Sequence, residues 1–86
     1  ADVRIEVAGD AGLEAGFARL PPGGRLGVLA FHSLEDRIVK EAFKTRSLEA
    51  GWNLLTRKAI QATRAEQVAN PRSRSARLRI LSREAA

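Results

Sequence analysis

The run "RLGVLAF", residues 25–31, is almost continuously apolar and of strand length, and it gives way at once to a charged helical pattern. A strand with one wet face alternates apolar and polar residues. A strand without that alternation is covered on both faces, as in the parallel sheets of α/β proteins. Residues 21–24, "PPGG", stop whatever precedes the run. His32 and Ser33 follow it. Leu34, Ile38, Val39, Ala42 and Phe43 then recur at helical spacing, leaving Glu35, Arg37, Lys40, Glu41 and Lys44 for water. Ser33 reads as the N-cap of a helix over about 34–46, with Asp36 at the third helical position as a capping-box acid. Leu34, Ile38 and Phe43 are expected in the core, and Phe31 and Trp52 with them.

The other segments read less sharply. "VRIEV", residues 3–7, alternates as a half-buried strand does, and a helix end also fits five residues. Gly9-Asp10 signals a turn. Leu13, Phe17 and Leu20 lie on one face of a short helix, which Gly12 and Gly16 each weaken by roughly 1 kcal/mol relative to Ala. Residues 52–60 are strand-like, and the strand is placed at 52–58. Thr63 and Glu66 make a second capping-box pattern, and Asn70-Pro71 ends that helix. Residues 76–82 form a last strand, with Arg77 and Arg79 on one face and Leu78 and Ile80 on the other.

The chain has 86 residues and is read as one domain over 1–86. A chain this short buries only about 60% of its unfolded surface, so its core is small. It has no Cys and one His, which leaves neither a disulfide framework nor a Cys-based metal site. Leu26 to Phe31, the longest apolar stretch, is far too short to span a bilayer. No signal-peptide pattern opens the chain. No membrane association and a cytoplasmic location are therefore expected. The chain lacks Met and opens on Ala1, as a processed, trimmed or fragmentary sequence would. Its charge is uneven. Residues 1–56 carry 7 basic and 8 acidic side chains, and residues 57–86 carry 8 basic and 2 acidic. Such asymmetry points to a polyanion as partner of the C-terminal part.

The segments "PPGGRLGVLAFHSLEDRIVK", "LLTRKAI" and "NPRSRSARLR" together resemble the C-terminal part of the S-adenosylmethionine-dependent methyltransferases of the MraW type, which act on cytosine N4 of small-subunit ribosomal RNA. The Phe-His-Ser-Leu-Glu-Asp-Arg and Asn-Pro-Arg-x-Arg-Ser-Ala blocks carry most of the likeness. The resemblance implies an α/β fold: the C-terminal portion of a class I, Rossmann-like methyltransferase sheet. About three strands with flanking helices are expected, the last strand inserted between the other two and antiparallel to the one at 52–58. It also favours a helix for residues 3–7. Members of that family are several times longer. The glycine-rich loop that holds the donor and the acid that binds its ribose have no counterpart in this chain. The chain therefore resembles a terminal fragment or a truncated homologue, inactive alone. The family's cofactor is S-adenosylmethionine, and none is expected for this chain by itself.

At the C-terminal end of a central strand, Phe31, His32 and Ser33 would border a ligand crevice. Phe31 is a candidate to stack on a base. His32 is a candidate catalytic proton acceptor, with Ser33 beside it. A core role for Phe31, a structural hydrogen bond for His32 and a capping role for Ser33 stand against these. Arg72 and Arg74 are candidate substrate-binding residues. Arg57, Lys58, Arg64 and Arg77 are candidate phosphate ligands, because guanidinium and ammonium groups suit that anion. Arg74 or Arg77 could instead pair with Glu35 or Asp36. Two other functions stay open: a stand-alone basic RNA-binding module, and an isolated or engineered structural fragment. Loss of a neighbour would expose one edge of the apolar strand, so a homo-oligomer formed through that edge is expected.

Overall fold

The computed structural model describes residues 3–7 and 12–85; the turn expected at Gly9-Asp10 lies outside them. Five strands form one sheet: β1 (Val3–Val7), β2 (Arg25–Ala30), β3 (Trp52–Leu54), β4 (Ile60–Gln61) and β5 (Arg77–Arg83). Three α-helices accompany them: α1 (Gly12–Arg19), α2 (Ser33–Arg46) and α3 (Arg64–Ala69). A 3₁₀ turn over Pro71–Ser75 leads from α3 into β5.

The sheet order is β1-β2-β5-β3, with β4 also paired to β5. β1 runs parallel to β2, and β2, β3 and β4 are all antiparallel to β5. The last strand thus lies between β2 and the pair β3/β4, as the resemblance implied. Three expectations change. Residues 3–7 are a strand, not a helix. The sheet has five strands rather than three, because β1 joins it and the strand expected over 52–58 is cut short. There the chain turns at Leu55 and Thr56, whose backbone N–H and side-chain Oγ1 are both taken by Ile80. And β2 is not an edge strand: β1 and β5 flank it, so the outer edge belongs to β1.

Paired residues of neighbouring strands share a face. Leu26, Val28 and Ala30 of β2 therefore lie on the same side as Leu81, Arg79 and Arg77 of β5. α1 and α2 cover this side, and the core sits there: Phe17, Leu20, Leu26, Val28, Val39, Phe43 and Leu81. Trp52 packs edge-on against Phe17, and the guanidinium carbons of Arg46 and Arg83 each lie 5.4 Å from its ring centre. Leu29, Leu78 and Ile80 face the other way and are only half-buried.

The face of β5 that carries arginines is thus the one turned to the core. Arg79 is 7% exposed and donates two hydrogen bonds to Asp36 of α2, at 2.8 and 3.1 Å. A buried guanidinium needs this partner, because an unpaired charge out of water is strongly unfavourable. Asp36 therefore clamps α2 to the sheet and is not a capping acid. The pair is neither of those expected for Arg74 and Arg77.

Leu34 and Ile38 are also not core: they are 65% and 53% exposed. The inward face of α2 is set by Asp36, Val39 and Phe43, and the apolar stripe read from the sequence was wider than the surface available to cover it. Gly23 occupies the left-handed region at φ +84°, and a Cβ on Gly24 would stand 2.9 Å from the carbonyl oxygen of Pro21. The turn between α1 and β2 needs both glycines for these two separate reasons.

Candidate nucleic-acid cleft

β2 ends at Ala30, and the chain then crosses the tip of the sheet through Phe31 and His32 into α2. His32 is the N-cap residue, extended at φ −122° and ψ 146°, and its side chain does not cap. Ser33, expected as the cap, is instead the first helical residue. The N–H of Phe31 donates to Glu35 Oε1 at 3.4 Å, and the N–H of Asp36 to the His32 carbonyl at 2.9 Å. The hydroxyl of Ser33 is left exposed, and among the described residues the His32 imidazole has no hydrogen-bond partner.

Asn70 organises the opposite wall. Its Oδ1 accepts from the N–H of Arg72, and its carbonyl accepts from both the N–H and the hydroxyl of Ser73. Pro71 at the start of the 3₁₀ turn gives up no needed donor. This tight turn holds the Arg72 guanidinium 5.9 Å from the centre of the Phe31 ring. Upstream, Thr63 and Glu66 make the reciprocal capping box the sequence announced, which fixes the start of α3.

Two cavities meet at Phe31. The larger, about 490 Å³, is bounded by Leu29, Phe31, Ile60, Gln61, Asn70 and Arg72, among others. The smaller, about 260 Å³, is lined by Phe31, Ser33, Asp36, Arg74, Ser75 and Arg77. Phe31 is a half-buried wall shared by both, rather than a core residue. Of the residues singled out in the sequence, Phe31, Ser33, Arg72, Arg74 and Arg77 are thus brought together. His32 is exposed at the same tip but lines neither cavity. Arg57 and Lys58 are exposed in the β3–β4 connection, and Arg64 at the start of α3. The sequence reading missed Gln61 and Asn70; an Asn before Pro at a helix end was the available signal for the second.

The electrostatics are one-sided. Arg79 is neutralised by Asp36. Among the described residues, Arg57, Lys58, Arg64, Arg72, Arg74 and Arg77 pair with no carboxylate. Arg77 donates from Nη1 to the carbonyls of Arg74 and Ala76, which holds its guanidinium in place without cancelling its charge.

An α/β sheet with a crevice beyond the carboxyl end of a central strand is a Rossmann-like arrangement, here of the methyltransferase type. A sequence profile described as the MraW methylase family matches residues 4–84, and the chain belongs to that family. It is 45% identical over 102 aligned residues to the ribosomal RNA small subunit methyltransferase H of Chlorobaculum parvum, an alignment that covers 94% of this chain and 32% of that protein. It is 53% identical over 64 residues to the protein of the same name from Rhodopirellula baltica, covering 74% of this chain and 19% of the relative. For the Dinoroseobacter shibae protein of that name the figure is 49% over 90 residues, covering 87% and 27%. The chain spans about a third or less of the length of these curated relatives. No helix among the described residues is long and apolar enough to cross a membrane.

Proposed function

We propose that this chain forms the substrate side of an enzyme that transfers a methyl group from S-adenosylmethionine to cytosine N4 of small-subunit ribosomal RNA. The observation that carries the reading is the placement of Phe31 at the tip of β2, between two cavities, with Arg72 over its ring and unpaired cations around it. A target base taken out of its stack finds there an aromatic face and a guanidinium plane. Arg57, Lys58, Arg64, Arg72, Arg74 and Arg77 meet backbone phosphates, supplying affinity rather than sequence choice. Ser33, in the lining of the smaller cavity, is the candidate to hydrogen-bond the substrate; His32 is exposed at the same tip but lines neither cavity, and its assignment as proton acceptor rests on its chemistry alone.

The two cavities beside Phe31 do not fit the methyl donor. An adenosyl ribose calls for a free carboxylate. The carboxylates at the two cavities are Glu66 and Asp36, and both are committed: Glu66 to the capping box and Asp36 to Arg79. The chain alone therefore binds no donor and is inactive, and residues 1–86 act as one unit of a larger site in the cytoplasm. Self-association goes through the open edge of β1. Calorimetric titration with S-adenosylmethionine is expected to give no heat of binding; micromolar affinity would overturn the division of labour.

The unpaired cations also favour a second reading, a basic RNA-binding module without catalysis. Both readings require salt-sensitive RNA binding. Affinity for a small-subunit rRNA stem-loop should fall steeply with salt, and each of Arg57→Gln, Lys58→Gln and Arg64→Gln should lower the slope of log K against log salt by about 0.7–1. Slopes unchanged by all three would remove these side chains from the interface. Methyl transfer restored by adding the missing donor-binding part would decide for the enzyme.

A further inference from the structure

We infer that the two cavities beside Phe31 take one nucleotide between them, with the base in the larger and a single phosphate in the smaller. This rests on the reading of the cleft as an RNA site and adds to it a defined phosphate subsite. The smaller cavity has the composition such an anion demands. Arg74 and Arg77 bring two guanidinium groups, and Ser33 and Ser75 bring two hydroxyl donors. Among the described residues neither arginine pairs with a carboxylate. Arg77 is already held by the carbonyls of Arg74 and Ala76 through Nη1, so its remaining N–H groups are presented without further ordering.

One carboxylate, Asp36, lines the same cavity. Both of its oxygens accept hydrogen bonds from Arg79, so its charge is balanced before an anion arrives. Glu35 lies nearby, with Oε1 turned to the N–H of Phe31. The net charge of the cavity therefore stays positive, and its volume of about 260 Å³ accommodates a phosphate group and leaves the base to the other side. The larger cavity is lined by Leu29, Ile60 and Leu78 together with the amides of Gln61 and Asn70. Apolar walls with a few amide groups suit a base, and the guanidinium that also lines this cavity, Arg72, stands over the Phe31 ring, where a stacked base would meet it. The ring of Phe31 forms part of both, so a base resting on it has its phosphate within reach of Arg74 and Arg77.

The test uses the 86-residue chain, cytidine and cytidine 5′-monophosphate, with binding followed by amide chemical shifts. The monophosphate is expected to bind at least about tenfold more tightly than cytidine, as one charge-assisted phosphate contact implies. Arg74→Gln, on an exposed side chain, should bring that ratio to about twofold and leave cytidine affinity unchanged. Arg77→Gln should do the same in protein whose thermal melt shows it folded. Lys44→Gln, exposed on α2 and outside both cavities, should keep the tenfold ratio. Inorganic phosphate alone should shift the Ser33 and Ser75 amides. Equal affinity for cytidine and its monophosphate overturns the phosphate subsite while leaving the cleft reading intact. So does a ratio that survives Arg74→Gln. Binding of neither compound overturns both.

Discussion

Asp36→Ala should lower the free energy of unfolding by about 3–5 kcal/mol, the range seen when one partner of a buried ion pair is removed. The deficit comes less from the lost attraction than from Arg79, which stays at 7% exposure on the core face of β5 with no anion to meet it. The double substitution Asp36→Leu/Arg79→Met should recover most of the loss, because it removes both charges and keeps the volume. Acid should act in the same direction as the single substitution. The hydrogen bonds from Arg79 hold the Asp36 carboxyl below its ordinary value of 3.8, helped by the charges of Arg79, Arg77 and Lys40 and opposed by desolvation. A carboxyl depressed in the folded state contributes stability that is complete above the unfolded value and is lost as pH falls through the folded one. Urea midpoints at neutral pH and below pH 3.8 should therefore converge for the wild-type chain and Asp36→Ala as the solution is acidified. A deficit under about 1 kcal/mol at neutral pH would put the pair among exposed ion pairs and contradict its clamping role.

Phe43→Ala should be comparably severe. The ring is 0% exposed and tilted 51° against Phe17 at a centroid distance of 5.9 Å. Truncation of a buried Phe removes its transfer free energy and leaves a cavity, together about 3–5 kcal/mol. A domain of this size has little more than that in reserve. Circular dichroism should show the variant largely unfolded at room temperature, with Phe43→Leu intermediate. A melting temperature near that of the wild-type chain would mean the core is centred elsewhere.

The two substitutions differ in how visible their sites were in the sequence. Phe43 belongs to a helical stripe, and periodicity places it inside. The capping box at Thr63 and Glu66 was legible for the same reason, since spacing alone specifies it, whereas β2 was legible as an unbroken apolar run between Pro-Gly and a helix start. Asp36 and Arg79 lie far apart in the chain, and only the antiparallel pairing of β5 with β2 brings Arg79 under α2. Alternation showed that Arg77 and Arg79 share a face; it could not show that the helices pack on that face. Leu34 and Ile38 mark the reverse limit. Periodicity gives the width of an apolar stripe, but the number of neighbours decides how much of it is covered. At the site, the basic character of the C-terminal part and the position of Phe31 were readable. The Asn70 turn that holds Arg72 over the ring was not, because its hydrogen bonds follow from backbone conformation rather than from residue spacing.

The proposed function requires one surface to receive RNA: the tip of β2, with the Asn70–Arg77 segment facing it. Amide chemical shifts of the chain, recorded as a small-subunit rRNA stem-loop is added, test it directly. The expected result is a contiguous set of changes at Phe31, His32, Ser33, Asn70, Arg72 and Arg74, extending to Arg57, Lys58 and Arg64. Changes confined to α1, the outer face of α2 or the open edge of β1, with the tip of β2 silent, would contradict it.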